Sequence, residues 1–390
     1  MTTSGREHIR WFRNTAPYIN AHRGKTFVLM LGGAVAQHQN LPHLIHDVAL
    51  LHSLGVRLVL VHGAREQIDQ RLARAGIEGL FHGSVRITDA ETLEHAKDAA
   101  GALRAQIEAL LSMGLPNSPM QGSRMRVCSG NFVTAKPIGV LDGVDHQHTG
   151  AVRRIDAEGI RAQLAAGSIV LQSPLGYSPT GEIFNLSLED VAVHCAAAIG
   201  ADKLLLLSSG EGILNAAGEL VRQCAVGEIG ALDIPDAEQH ALLDAARKAC
   251  LRGVPRAHII SYAEDCALLE ELFTYDGSGT LVASDDYEQS RVARIDDVGG
   301  ILELIARPRW AHHCLRGSVS FSRRRLRRDC LHRVAPGLPR GQARSTPAGD
   351  AGAGSPASGT RPGVRAHHAD RPLVHRTGFY RDFPRSTAGA

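Results

Sequence analysis

A chain of 390 residues is long enough for two or three domains with buried cores. Its seven cysteines form no CxxC pair and match no histidine spacing, so a disulfide framework and a zinc site are both excluded from the expectations, and no metal is called for. The longest aliphatic run, LLLL at 204–207, is too short to cross a bilayer, and the polar opening MTTSGREHIR lacks an apolar targeting segment, so the expected setting is cytoplasmic, with no membrane partner. HIRWFRNTAPYINAHRG (8–24) predicts an amphipathic N-terminal helix and linker, a docking element. TFVLML (26–31) predicts a short buried strand running into Gly32 and Gly33, and LPHLIHDVALLHSLG (41–55) has helical spacing.

VRLVLVHGA (56–64) repeats the buried strand, and REQIDQRLARAG (65–76) the helix. A long helix is predicted over RITDAETLEHAKDAAGALRAQIEALLSM (86–113), with Thr88 three residues before Glu91 as a capping box. MRVCSGNFVTAKPIGVL (125–141) reads as paired strands, and EGIRAQLAAGSIVLQSP (158–174) as a helix then a strand. In NLSLEDVAVHCAAAIGADKLLLLSS (185–209), Ser187 and Asp190 are spaced as a helix start before a strand. GILNAAGELV (212–221) predicts a hairpin, AEQHALLDAARKACLRG (237–253) a helix, and PRAHIIS (255–261) a strand. Strands alternating with helices predict a doubly wound, mainly parallel α/β sheet sandwiched by helices. The expected organisation is an N-terminal helix and linker over 1–23, an α/β domain over 24–283, a linker with the start of a second domain over 284–305 (SDDYEQS, then RVARIDDVGGILELI), and a tail over 306–390.

Strand-to-glycine turns at Gly32 and Gly33, and at His62 and Gly63, sit where open α/β sheets place ligands, although a glycine after a strand is most often only a tight turn. PYINAHRGKTFVLMLGG, LVLVHGAREQID, VRITDAETLEHAKDAAG, FNLSLEDVA, ADKLLLLSS, GVPRAHIIS and ALLEELFTYDGSGTLV run in an order that resembles the amino-acid kinase family, and within it the arginine-pathway N-acetylglutamate synthases. The kinases carry a lysine where this chain has Met30, and an ammonium there neutralises charge developing on the transferred phosphoryl group. A thioether cannot do so. Their glycine run after the histidine is replaced by Ala64 and Arg65, their usual aspartate by Glu189, and their later glycine-rich segment with its lysine is missing from DIPDAEQHALLDAARKAC. These departures make the turns a degenerate kinase site. His62 reads as structural, and Arg86 matches the kinases' substrate-carboxylate arginine.

The resemblance implies that the domain instead binds the feedback inhibitor L-arginine, at positions matching Tyr18, Lys203, His258, Glu271 and Gly277. Glu271 would accept a guanidinium fork and Lys203 would face the ligand's carboxylate. It further implies an acetyltransferase domain of the GNAT type that joins acetyl-CoA, as co-substrate, to L-glutamate, and a homo-oligomer assembled through the kinase-like domain. RVARIDDVGGILELI is similar to the opening of such a domain, and no catalytic residue can be named after it.

Residues 306–390 hold 17 Arg, no Lys, 4 Asp and no Glu, a net charge of +13 that leaves −10 for the first 305. A basic tail raises nucleic-acid contact, but this Arg, Ala, Gly, Pro and Ser composition is low in apolar residues and suggests disorder over binding. It is also the composition of GC-rich DNA read in an unintended frame. Choosing permitted codons for 328–344 and dropping one nucleotide gives EIACTVSHPDYREGRRG, which is similar to the acetyltransferase half of the same family; 312–321 and 367–379 behave alike. The expectation is a chain that leaves frame near residues 306–310. The alternative reading for the chain as written is a catalytically silent arginine-binding module.

Overall fold

The computed structural model describes residues 3–112, 122, 125–274 and 276–284, all within the compact unit Met1–Arg291. SDDYEQS beyond its first residue, RVARIDDVGGILELI and the arginine-rich tail lie outside the described residues.

In chain order the elements are α1 (Thr3–His22), β1 (Thr26–Leu31), α2 (Leu41–Ser53), β2 (Arg57–His62), α3 (Arg65–Ala75), β3 (Phe81–His82), β4 (Val85–Arg86), α4 (Ala90–Ser112), β5 (Arg126–Cys128), β6 (Val133–Pro137), β7 (Val140–Leu141), β8 (Val144–Asp145) and β9 (Gly150–Ile155). There follow α5 (Ala157–Ala165), β10 (Ser168–Gln172), β11 (Leu175–Tyr177), β12 (Ile183–Asn185), α6 (Leu188–Ile199), β13 (Lys203–Ser208), β14 (Gln223–Ala225), α7 (Ala237–Leu251), β15 (Arg256–Ser261), α8 (Ala267–Phe273) and β16 (Thr280–Ala283). Eight strands form one sheet in the order β14, β16, β15, β13, β1, β2, β10, β5, and only the β15–β16 pairing is antiparallel. The mainly parallel α/β architecture is therefore as the alternation of strands and helices predicts.

Period-2 alternation sorts the side chains of the central strands into two layers. Phe27, Leu29, Leu31, Leu58, Leu60, Leu205 and Leu207 pack with helices α2, α3, α4 and α8. Val28, Met30, Val59, Val61, Leu204 and Leu206 pack with α5, α6, α7 and the second sheet. Each fully buried leucine contributes about 1.5–3 kcal/mol relative to an exposed one.

Local signals end the helices as the sequence suggests. At Gly76, φ is +72°, and the Ile77 amide donates to the Leu72 carbonyl at 2.9 Å, closing α3. Ser187 Oγ accepts from the Asp190 amide at 3.3 Å and starts α6. Residues 212–221 turn back on themselves through an antiparallel bridge between Leu214 and Leu220, as the hairpin expectation has it.

Two expectations are corrected. Thr88 does not cap α4: Asp89 does, its Oδ1 accepting from the Thr92 amide at 2.7 Å. Thr88 is fully buried, and its hydroxyl, 2.9 Å from Thr149 Oγ1, accepts from Asn185 Nδ2 at 3.2 Å. The polar residue with buried partners went inward, leaving its neighbour to cap. The paired strands expected over 125–141 belong to different sheets. β5 joins the edge of the main sheet beside β10, while β6 pairs with β9 and β11 in a four-stranded sheet ordered β12, β11, β6, β9.

Candidate functional site

At the carboxyl ends of β1 and β2, the glycine turns meet each other. Gly63 donates its amide to the Leu31 carbonyl at 2.7 Å, and a Cβ at position 63 would lie 2.9 Å from Leu188 Cδ2 and 3.3 Å from the Gly33 amide nitrogen. A side chain there would have to displace the end of Leu188 and crowd the Gly33 backbone. Met30, 2% exposed, packs in the layer of Val28, Val59, Val61 and Leu206. The space above Gly33 is filled by the Glu66 carboxylate and the Gln67 amide, and Gln67 Nε2 donates to the Gly33 carbonyl at 2.8 Å. Glu66 Oε2 and Gln67 Oε1 are buried there without hydrogen-bond partners.

A helix N-terminus of this kind attracts anions. Here the Glu66 carboxylate occupies the space over Gly33 without capping α3, so a phosphate entering there would meet a like charge. In the structure Ala64 is buried at the start of α3, and Arg65 turns outward with its guanidinium carbon 5.2 Å from the Phe81 ring centroid. Glu66, Gln67 and Leu188 do the filling, and the signal that could have found Glu66 is an acid in the first turn of α3. Glu189 accepts from Ser187 Oγ at 2.6 Å in the first turn of α6.

His62 is fully buried. Its Nδ1 faces the Gly63 carbonyl at 3.3 Å and its Nε2 faces Ser173 Oγ at 2.9 Å, an arrangement that puts the proton on Nδ1 and makes Nε2 the acceptor. Burial pushes its pKa down to about 4 against the pull of that carbonyl, so the ring is neutral at pH 7 and structural. Arg86 is engaged by its own chain: it pairs with Asp69, and its guanidinium carbon lies 4.5 Å from the Phe81 ring centroid.

The second site is built on β13, β15 and α8 of the same unit. Lys203, the first residue of β13, is 8% exposed, and its Nζ lies 3.0 Å from His258 Nε2. His258 Nδ1 lies 2.6 Å from Glu271 Oε1, and Glu271 Oε2 accepts from the amides of Ser278 at 2.8 Å and Gly279 at 2.9 Å. Gly277 sits beside this carboxylate with φ +66°, where a Cβ would come 2.5 Å from Glu271 Oε2. Tyr18 is partly buried on α1 against the core cluster that contains Leu272 and Phe273 of α8. Four of the five sequence-named positions are therefore in one constellation, with Tyr18 on the helix that packs against α8.

The charges in this chain order themselves. Burial pushes Lys203 down to about 8, reinforced by Arg256 and opposed by Glu271 and Asp202. Burial also pushes His258 down to about 4, against its hydrogen bond to Glu271. For Glu271 burial acts upward, but the His258 bond and the Gly279 and Ser278 amides outweigh it and hold the carboxyl below its ordinary range. At pH 7 the sequence is ammonium, neutral imidazole, carboxylate. The His258 Nδ1–H donates to Glu271, and Nε2 accepts from Lys203. The guanidinium fork expected at Glu271 thus meets a carboxylate that already holds three donors, with about one lone-pair site left. Ser278 and Gly279 were not named from the sequence, since backbone donors carry no residue-type signal.

Residues 25–261 match the amino acid kinase family. The amino-acid acetyltransferase of Ectopseudomonas mendocina is 58% identical over 302 residues, 77% of this chain and 70% of that protein. The same enzyme of Azotobacter vinelandii is 57% identical over 302 residues, with the same 77% and 70% coverage. Among solved structures, N-acetylglutamate synthase from Neisseria gonorrhoeae complexed with coenzyme A and L-arginine superposes with a TM-score of 0.73 at 35% identity, over 78% of this chain and 74% of that one. Its complex with coenzyme A and N-acetyl-glutamate gives 0.66 at 37% identity, over 76% and 68%. The smu.665 protein of Streptococcus mutans, 21% identical with a TM-score of 0.53 over 67% and 99%, shares the fold. The chain belongs to the amino acid kinase family and, within it, to the amino-acid acetyltransferases.

Proposed function

We propose that this protein makes N-acetyl-L-glutamate from acetyl-CoA and L-glutamate, the first step of arginine biosynthesis, and that residues 24–283 form its L-arginine-responsive domain, assembled as a homo-oligomer in the cytoplasm. The observation that carries the reading is the phosphate turn closed by Glu66 and Gln67 above Gly33, beside an uncharged Met30. A kinase fold with that turn filled has lost phosphoryl transfer, while the Lys203, His258 and Glu271 chain keeps a built polar site elsewhere. In the proposed reaction the deprotonated amine of glutamate attacks the thioester carbonyl, a C–N bond forms, and the coenzyme A thiolate leaves. None of the described residues is assigned to that step. Glutamate-dependent release of thiol from acetyl-CoA, inhibited by L-arginine, is the expected result; turnover of ATP in place of acetyl-CoA would overturn it.

A second reading is favoured by the 17 Arg and absent Lys of residues 306–390. On it the reading frame departs near residues 306–310, and the chain as written is an arginine-binding module without catalysis. L-arginine would then raise the unfolding temperature with no thiol released. The nucleotide sequence beyond codon 305 decides: codons that do not yield EIACTVSHPDYREGRRG in the shifted frame exclude this reading.

A further inference from the structure

His22, the last residue of α1, is 8% exposed. Its Nε2 lies 2.7 Å from the Leu272 carbonyl oxygen, and because a carbonyl only accepts, Nε2 carries the proton. That carbonyl belongs to the last turn of α8, where partners within a helix run out. The imidazole packs edge-on against Phe27 and Phe273, with ring centroids 5.4 and 5.5 Å away. Burial lowers the pKa of the ring despite the Leu272 bond, and Lys203 and Arg256 lower it further, so the contact is that of a neutral donor.

These partners are adjacent to the two ends of the Lys203, His258 and Glu271 chain. Phe27 is the register partner of Lys203, whose Nζ lies 5.9 Å from the Phe27 ring centroid. Leu272 directly follows Glu271. One side chain of the N-terminal helix therefore reaches both the strand residue beside the ammonium and the helix that carries the carboxylate. Tyr18 stands four residues earlier on α1, one turn away on the same face. At seven residues, α8 does not hold its own direction, which comes from the packing of its buried Ala267, Leu268, Leu272 and Phe273 together with what its ends are tied to.

We propose that His22 is a positioning residue: by holding the Leu272 carbonyl it fixes the direction in which α8 presents Glu271 to His258 and to the Ser278 and Gly279 amides, so that the seating of α1 and the affinity of this site for L-arginine change together. The part concerning L-arginine rests on the function proposed above; the positioning of Glu271 does not.

The test compares the full-length protein with its His22→Phe and His22→Gln variants. Phenylalanine keeps the aromatic edges and removes the donor, whereas glutamine restores an N–H at similar reach. Hydrogen exchange is read at the Ser278 and Gly279 amides in the absence of ligand, and L-arginine binding is read by calorimetry. The expectation for His22→Phe is exchange at those amides faster by about tenfold and L-arginine binding weaker by about tenfold, with protection retained in β1 and β13, and recovery in His22→Gln to within about threefold. Unchanged exchange at Ser278 and Gly279 in His22→Phe would overturn the proposal. So would an equal acceleration throughout the domain, or a failure of His22→Gln to recover, because both are the behaviour of bulk packing. If the parent protein does not bind L-arginine, the effector reading falls, while the exchange measurement still decides the role of His22.

Discussion

The carboxyl and amino ends of one parallel sheet have been treated in opposite ways. At the carboxyl end, where β1 and β2 run into Gly33 and Gly63, the strand carries an uncharged, buried Met30, and Glu66 and Gln67 occupy the space over Gly33. Toward the amino end, Lys203 and Glu271 keep their charges while buried, bridged by the neutral ring of His258, each with a named partner. Both ends exclude water, but only the second does so by pairing. The two regions are built on different strands, the filled turns following β1 and β2 while Lys203 and His258 belong to β13 and β15, so one end of the sheet can be closed while the other stays polar.

The largest effect expected from disturbing this contrast is at Glu271. Its removal in Glu271→Ala leaves the His258 Nδ1–H and two amides without their acceptor and the buried Lys203 ammonium without its counter-charge, and breaking a buried pair in this way costs about 3–5 kcal/mol. Denaturant unfolding of the full chain measures it, and a loss below about 1 kcal/mol would mean that the carboxylate is not the organising charge.

Next in size is Met30→Lys, which places a cation near the carboxyl end of β1. The new ammonium enters a layer of Val28, Val59, Val61 and Leu206, and a depression of its pKa by about 3 units corresponds to a cost of about 4 kcal/mol. Nucleotide binding is not recovered, since Glu66 and Gln67 still stand over Gly33. Calorimetric titration with ATP checks this, and binding by Met30→Lys alone would show that the turn is open after all.

Acid sensitivity gives the third comparison. His62 has a folded pKa of about 4, depressed from 6.5. The unfolded chain therefore binds more protons between those values, and the contribution of His62 to stability is lost as pH falls from 6.5 toward 4, by about 3 kcal/mol in all. Asp47 acts in the other direction: burial, with Asp265 nearby, raises it to about 7, so its contribution declines as pH rises from 3.8 toward 7. Only a difference between proteins isolates the histidine. His62→Gln, which can still face Ser173, is expected to lose stability less steeply than the parent over that window, and parallel curves would contradict the buried neutral ring.

What could be read before folding was whatever is settled within a few residues. The strand 26–31, the end of α3 at Gly76 and the start of α6 at Ser187 each carry their own signal in periodicity, a left-handed glycine or a capping hydroxyl. The cap of α4 was misassigned because Thr88 and Asp89 are both competent, and the choice is made by Thr149 and Asn185, far along the chain. The separation of β5 from β6 depends on β9, β10 and β11, which come later in the sequence. Resemblance supplied the names Lys203, His258 and Glu271, but not their bonding order, which is set by separations of 55 and 13 residues. Nor could it supply Glu66 and Gln67 as the groups that close the turn, since that depends on how α3 leans over Gly33.

The smallest effect sharpens the contrast by changing burial while keeping the charge type. Lys25 Nζ lies 2.9 Å from Asp202 Oδ1 near the same amino end, but these side chains are 50% and 34% exposed. Water solvates both ions, so Lys25→Ala is expected to cost under about 1 kcal/mol, and the small loss should vanish in 1 M salt, where the screening length is about 3 Å. Asp202→Ala should cost more than its partner's removal, because Asp202 Oδ2 also accepts from the Thr26 amide at 2.9 Å and anchors the start of β1. The loss in Glu271→Ala should by contrast persist in salt, since counter-ions do not reach a side chain that is 5% exposed. If salt erased the two losses equally, burial would not be what separates Glu271 from Lys25, and the Lys203, His258 and Glu271 chain would have to be regarded as a surface cluster.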